Sequence, residues 1–169
     1  MSNSTTDMTV HTISVYVANK PGVLARIAQV FARRGFNIDS LVVSPSSDGR
    51  YSRMTIASQG SAEGLEQIIL QVSKLVDVMH CMDHVSDESI VREMALAKLR
   101  VNSEQRTEAL QICDHFGCKT VDLTTTAMTV MVTGPSEKLD ACLNMLRQFE
   151  LIELVRTGKV VMARGDEIT

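Results

Sequence analysis

Asn19-Lys20-Pro21-Gly22-Val23-Leu24 is the stretch where one periodicity gives way to another. Upstream of it, Ile13, Val15 and Val17 recur at every second position, the pattern of a strand with one apolar face. Downstream, Leu24, Ile27, Ala28 and Phe31 recur at helical spacing. Pro21 has no N–H and suits the first turn of a helix, where that donor would lack a partner anyway. Gly22 has no side chain, so a second molecule can come close to the backbone. The free N–H groups of a first turn, with the positive end of the helix dipole, favour an anion such as a carboxylate. The Asn19 amide can both donate and accept. Spacing alone is also met by a plain tight corner between strand and helix, because Pro and Gly are the commonest turn residues.

Outward from this corner the alternation of strand and helix continues. Val10 to Ala18 reads as a strand and Gly22 to Arg34 as a helix stopped by Gly35. Phe36 to Ser44, β-branched and apolar, reads as a second strand, followed by the turn residues Pro45-Ser46-Ser47-Asp48-Gly49. Arg50 to Ser58 predicts a third strand, with Met54 and Ile56 on one side and Arg53 and Thr55 on the other. Ser61 to Lys74 predicts a helix with the stripe Leu65, Ile68, Ile69 and Val72, and Leu75 to Val85 a fourth strand. The order β-α-β-β-α-β within ~75 residues is the split βαβ, ferredoxin-like arrangement.

Ser86-Asp87-Glu88-Ser89 breaks the pattern, and the same order then returns without the sequence repeating. Ile90 to Val101 alternates as a strand, with Met94 and Leu96 in one phase. Asn102 or Ser103 can cap a helix carrying Ala109, Leu110, Cys113 and Phe116, closed by Gly117. Cys118 to Thr124 and Ala127 to Thr133 form a hairpin, and Gly134-Pro135-Ser136 leads into a helix with Leu139, Cys142, Leu143 and Leu146 on one side. Leu151 to Arg156 and Lys159 to Ala163 finish as strands. The fold class is therefore α+β: two tandem ferredoxin-like βαββαβ sandwiches, each a sheet with helices on one face. The expected division is a flexible N-terminus at 1–9, a first domain at 10–85, a linker at 86–89 and a second domain at 90–169.

Composition narrows the function classes. In 169 residues, 44% hydrophobic and 22% charged, the balance is that of a soluble globular protein. A net charge of −3 gives no bulk attraction to nucleic acid or anionic lipid, and with two Tyr, four Phe and no Trp there is little base-stacking surface. No apolar run approaches the ~20 residues that cross a bilayer, and Met1 to Asp7 lack a signal-peptide core, which points to the cytoplasm or to import after loss of a targeting segment. Cys81, Cys113, Cys118 and Cys142 sit singly among apolar residues and read as small core residues in a reducing compartment. His80, His84 and His115 lie near them, but the spacing matches no structural zinc pattern, so no metal is expected.

A ~75-residue module buries a modest core and gains from a partner. The second strand, Phe36 to Ser44, is an edge in split βαβ order; it carries one charge, Asp39, and no Lys or Pro guard. Symmetric edge-to-edge pairing is expected to give a homodimer with a continuous sheet, placing Asn37 near the subunit boundary.

Asn19-Lys20-Pro21-Gly22-Val23-Leu24-Ala25-Arg26-Ile27, followed by Arg34-Gly35-Phe36-Asn37-Ile38, resembles an ACT domain, the regulatory amino-acid-binding module. The likeness runs on through Ser52-Arg53-Met54-Thr55-Ile56, Lys74-Leu75-Val76-Asp77-Val78, Arg92-Glu93, Leu96, Lys98, Gly134-Pro135-Ser136-Glu137-Lys138-Leu139-Asp140 and Arg164-Gly165-Asp166. Over nearly the whole chain it is similar to the small regulatory subunits of acetolactate synthase (acetohydroxyacid synthase). The resemblance implies a chain with no catalysis and no cofactor of its own. It implies a partner, a large catalytic subunit carrying thiamine diphosphate, Mg and FAD, which the small subunit activates and makes sensitive to valine, or to leucine or isoleucine. It also implies effector binding at the dimer seam. Asn19, Lys20, Pro21, Gly22, Val23 and Leu24 of one chain would form one wall, and Asn37 with Ile38 of the other chain the opposite wall.

These residue types suit an α-amino acid. Backbone N–H groups around Gly22 and Val23 answer the carboxylate, with ~0.3–1 kcal/mol from the helix terminus. The carbonyls of Asn19 and Asn37 can accept from the ammonium, and Leu24, Ile38 and Val23 offer a dry wall, where burial of a valine side chain contributes roughly 2–3 kcal/mol. Lys20 reads by default as a solvated side chain. Three other readings stand beside this one: a free-standing enzyme, an ACT sensor for another ligand, and a purely structural dimerisation module. The first lacks a Ser/His/Asp or Cys/His constellation and a phosphate loop; Gly165-Asp166-Glu167 only echoes the opening of a thiamine-diphosphate motif.

Overall fold

The structure is a computed structural model and describes residues 9–84, 89–166 and 169. The expected N-terminal segment, Thr9 apart, and the expected linker, Ser89 apart, lie outside the described residues. In chain order the elements are β1 (Thr9–Ala18), α1 (Val23–Arg33), β2 (Ser40–Pro45), β3 (Tyr51–Gly60), α2 (Ala62–Val72), β4 (Val78–Asp83), β5 (Ser89–Arg100), α3 (Ser103–His115), β6 (Lys119–Leu123), β7 (Ala127–Gly134), α4 (Ser136–Leu146), β8 (Glu150–Arg156) and β9 (Val160–Ala163). The described residues fall into two compact units, one of those up to Ile90 together with those from Gly158 on, and one of residues 91–157. Each carries the βαββαβ order expected of a ferredoxin-like sandwich. No helix among the described residues is long and apolar enough to cross a membrane.

In the first unit the strands are antiparallel in the order β2-β3-β1-β4, so β2 and β4 are edges. Ile13 stands opposite Ile56 and Val15 opposite Met54, and with Val17 they form the apolar face of the sheet. Ile27, Val30 and Phe31 of α1 and Leu65, Ile68 and Val72 of α2 close over it. Each such side chain contributes roughly 1.5–3 kcal/mol of burial against its ordering entropy.

Two boundaries differ from the sequence reading. Phe36 to Asp39 precede β2 rather than opening it: Ser58 Oγ donates to the Asn37 carbonyl (2.6 Å), and the Phe36 ring packs where any side chain at Gly60 or Gly64 would stand. The edge strand therefore lacks Asp39 and ends on Pro45, which is itself a guard. Leu75 to Asp77 turn before β4, with the Val78 amide donating to the Leu75 carbonyl (3.0 Å).

The face of this sheet away from the helices is also covered. Thr12, Ser14, Thr55 and Ala57 are buried there, and Gly158–Thr169 cluster with this unit. Gly158 lies against Ser40 and Val42, Arg53 donates to the Thr169 carbonyl (2.8 Å), and Val161 is buried.

The second unit has the strand order β6-β7-β5-β8. Its core phase on β5 is Ala95, Ala97 and Leu99, leaving Met94, Leu96, Lys98 and Arg100 on the opposite face. Two alanines let the helices sit close to the sheet. α3 presents Ala109 and Cys113 to this core and turns Leu110 outward, while α4 presents Leu139, Cys142, Leu143 and Leu146. The Asn102 side-chain oxygen accepts from the Glu104 and Gln105 backbone amides, and the Asn102 backbone amide donates to the Gln105 side-chain oxygen, a capping box that fixes where α3 begins.

Candidate functional site

The corner between β1 and α1 is clamped by backbone bonds from two sides. The Ala18 amide donates to the Asp77 carbonyl (2.8 Å) and the Asn19 amide to the Arg50 carbonyl (2.9 Å), while the Lys20 amide folds back on the Ala18 carbonyl (2.9 Å). Gly22 then takes φ 84° and ψ −10°, a left-handed backbone that other residues adopt at a cost of ~1–2 kcal/mol, and α1 starts at the next residue. A Cβ placed on Gly22 would meet nothing within 4 Å, so the approach to this helix end is open.

No side chain caps α1, and among the described residues the amides of Gly22, Leu24 and Ala25 have no protein acceptor. α2 is capped by the Ser61 hydroxyl and α3 by its capping box, whereas α4, entered through Pro135, also lacks a side-chain cap. What marks α1 is the combination of free amides with open space.

The side chains around the corner are set by charge. Asp77, its carboxylate 13% exposed, accepts from Arg26 (2.5 Å) and stands 3.4 Å from the Lys20 ammonium. Two cations thus share one anion beside the free amides, a positive balance that suits a carboxylate. A recess of about 200 Å³ lies next to this group, lined by Val23, Arg26, Lys74, Leu75, Val76 and Asp77. The Asn19 side-chain N–H₂ donates to the Gly49 carbonyl (3.0 Å), leaving its oxygen as the acceptor on offer.

Of the residues singled out from sequence, Asn19, Lys20, Pro21 and Gly22 are exposed and Leu24 is 39% exposed. Val23 is 3% exposed and belongs to the core, so its amide rather than its side chain faces the corner. Asn37 is exposed, its amide donating to Asp39 (3.1 Å), and Ile38 is half-buried against the core. These two follow the far end of α1, whose 11 residues span ~16 Å. One chain does not bring the two groups together. Sequence reasoning gave no role to Asp77 or to its pairing with Arg26; the two are 51 positions apart, and only the fold joins them.

An open helix start after the first strand of a βαββαβ sheet defines the class: an ACT module. Residues 13–80 match the profile described as the AHAS small subunit-like ACT domain, and residues 92–165 match that of the small subunit of acetolactate synthase. The acetolactate synthase small subunit of Mycolicibacterium smegmatis is 41% identical over 165 residues, covering 98% of this chain and 95% of that one. That of Haemophilus influenzae is 39% identical over 156 residues, covering 92% and 96%. The crystal structure of the small subunit from Thermotoga maritima superposes with a TM-score of 0.84 at 37% identity, over 94% of this chain and 99% of that one. The chain belongs to the acetolactate synthase small-subunit family.

Proposed function

We propose that this chain is a non-catalytic regulatory subunit that activates a thiamine-diphosphate-dependent acetolactate synthase catalytic subunit in the cytoplasm and transmits feedback inhibition by valine. Thiamine diphosphate, Mg and FAD belong to the catalytic partner in this reading. The observation that carries it is the uncapped α1 start at Gly22, open to solvent and flanked by Arg26 and Lys20. Free amides and positive charge answer a carboxylate, the Asn19 oxygen answers an ammonium, and Leu24 gives a branched side chain an apolar surface.

The distance along α1 supports a two-chain site. Pairing of β2 edges about a two-fold axis would carry Asn37 and Ile38 of one copy towards the corner of the other, and an effector bridging them would favour one arrangement of the dimer. Transmission then requires that valine bind differently to the dimer alone and to the active assembly with the catalytic subunit. The test is reconstitution with a catalytic subunit and measurement of acetolactate formation across a valine titration. Activation by the chain, with inhibition that saturates in the micromolar to millimolar range, is expected. Activation without any response to valine, leucine or isoleucine refutes the sensor reading.

A further inference from the structure

The second unit gathers three of the four cysteines at one corner. Gly117, at φ 63°, ends α3 so that the Cys118 amide donates to the Cys113 carbonyl (2.8 Å) and the chain doubles back over the last turn. The Cys118 sulfur lies 3.5 Å from that of Cys142 on α4. Cys113 and Cys142 are 3% and 0% exposed, while Cys118 is half-buried and the most accessible of the three. Lys138, one turn before Cys142, donates to the Thr133 carbonyl (3.1 Å) and places its ammonium about 4.0 Å from where a Gly117 side chain would begin. Packing across a helix-ending turn needs only an apolar contact between Cys113 and Cys118. It does not need a third sulfur, or a cation beside the accessible one. Among the described residues no group of three His, Cys, Asp or Glu could hold a metal ion.

We propose that this corner is an oxidant-reactive thiol site, in which Cys118 takes an oxygen from a hydroperoxide and Cys142 resolves it to a disulfide. The Cys118 thiolate attacks the peroxide oxygen; the S–O bond forms, the O–O bond breaks, and the alcohol or water leaves with a proton. The Cys142 thiol then attacks the sulfenic sulfur; the S–S bond forms and hydroxide leaves, taking the Cys142 proton as water. Two thiols and one hydroperoxide give one disulfide, one alcohol and one water. Hydrogen bonds from Cys113 and Cys142 and the Lys138 charge lower the Cys118 pKa against its burial, and the same sharing raises Cys113 and Cys142. The carbonyl end of α3 acts the other way, its last carbonyls being met by the backbone amides of Phe116, Gly117 and Cys118. Cys81 in the first unit is a built-in reference, because burial pushes its thiol up to about 11.

The test uses the full chain, reduced and then freed of reductant. Iodoacetamide at mildly acidic pH should label Cys118 about tenfold faster than Cys81. Hydrogen peroxide in slight excess, followed by non-reducing peptide mapping, should give a Cys118–Cys142 linked peptide. In Cys142→Ala, oxidation should stop at a Cys118 sulfenic acid trapped by dimedone, and Cys118→Ser should leave Cys113 and Cys142 reduced. Equal labelling of Cys118 and Cys81 overturns the proposal, as does a main product joining Cys113 to either neighbour. The labelling comparison needs no variant, so a core substitution that fails to fold does not decide the matter.

Discussion

Gly22→Asp is the sharpest perturbation of the candidate site, and its effect can be worked from the geometry. The φ of 84° costs a side-chain-bearing residue ~1–2 kcal/mol, with Asp and Asn among the residues that tolerate it best. Nothing lies within 4 Å of the new Cβ, so no clash is added, and a carboxylate beside the free α1 amides recovers part of the cost. The fold is therefore expected to survive. A fixed carboxylate ~4 Å from the effector's own repels it by ~1 kcal/mol at full solvent exposure and ~4 kcal/mol at the protein surface, a five-fold to roughly 10³-fold loss of affinity. Gly22→Asn is the control, with the same shape and backbone strain and no charge. The assay is valine inhibition of the reconstituted enzyme at low and high salt. Gly22→Asp should keep activation, lose inhibition, and regain part of it as salt screens the repulsion. If Gly22→Asn loses inhibition to the same degree, or Gly22→Asp keeps it, no carboxylate sits at this helix end.

Other expectations follow from charge and edge geometry. Glu93, 7% exposed, is bound by Arg156 (2.7 Å) and by the Ser136 hydroxyl. Arg156→Met should cost ~2–3 kcal/mol in urea denaturation, less than for a fully buried pair because Ser136 remains. Lys98→Met, which breaks a half-exposed pair with Glu153 (2.8 Å), should leave the urea midpoint nearly unchanged. Burial lowers the His84 pKa below its ordinary 6.5, so the unfolded state binds the extra proton first. Stability should be fully present above that value and fall as pH drops through the folded pKa, and His84→Gln should remove this slope from urea midpoints taken across the range. Val43 is 43% exposed on edge strand β2 and would lie at the seam if the proposed pairing of β2 edges holds. Val43→Lys should shift the chain from dimer to monomer in sedimentation and abolish valine inhibition, whereas an unchanged dimer would put the seam elsewhere.

The order of elements was legible because each one repeats its apolar residues at its own period, and because Gly35, Gly117 and the Pro21-Gly22 pair mark the joins chemically. The start of β2 was not legible. Phe36 and Ile38 look like alternate strand residues, yet Phe36 is held by two glycines more than twenty positions away, a fit that no local pattern announces. On β5 the eye falls on Met94 and Leu96, but the helices lie over Ala95 and Ala97, because close approach favours small residues and local hydrophobicity does not record it. At the candidate site the backbone features were readable from Pro21 and Gly22. The Asp77 clamp on Arg26 and Lys20 depends on a loop brought in from the end of α2, and only the fold could supply it.

The far side of the first sheet has a history in time as well as a place in space. Arg53 and the Thr169 carbonyl it bonds are 116 positions apart, so during synthesis residues 9–84 emerge well before Gly158. At ~5–20 residues per second the wait is about 4–15 s. Through that interval the face that carries Thr12, Ser14 and Thr55 stands without the segment Gly158–Thr169 that clusters with it. Hydroxyl-bearing β-branched and small residues can do so without inviting aggregation, and they can later be enclosed at modest cost. The polarity of this face thus suits the order in which a ribosome delivers the chain: the surface lives first as an outside and only then becomes an inside.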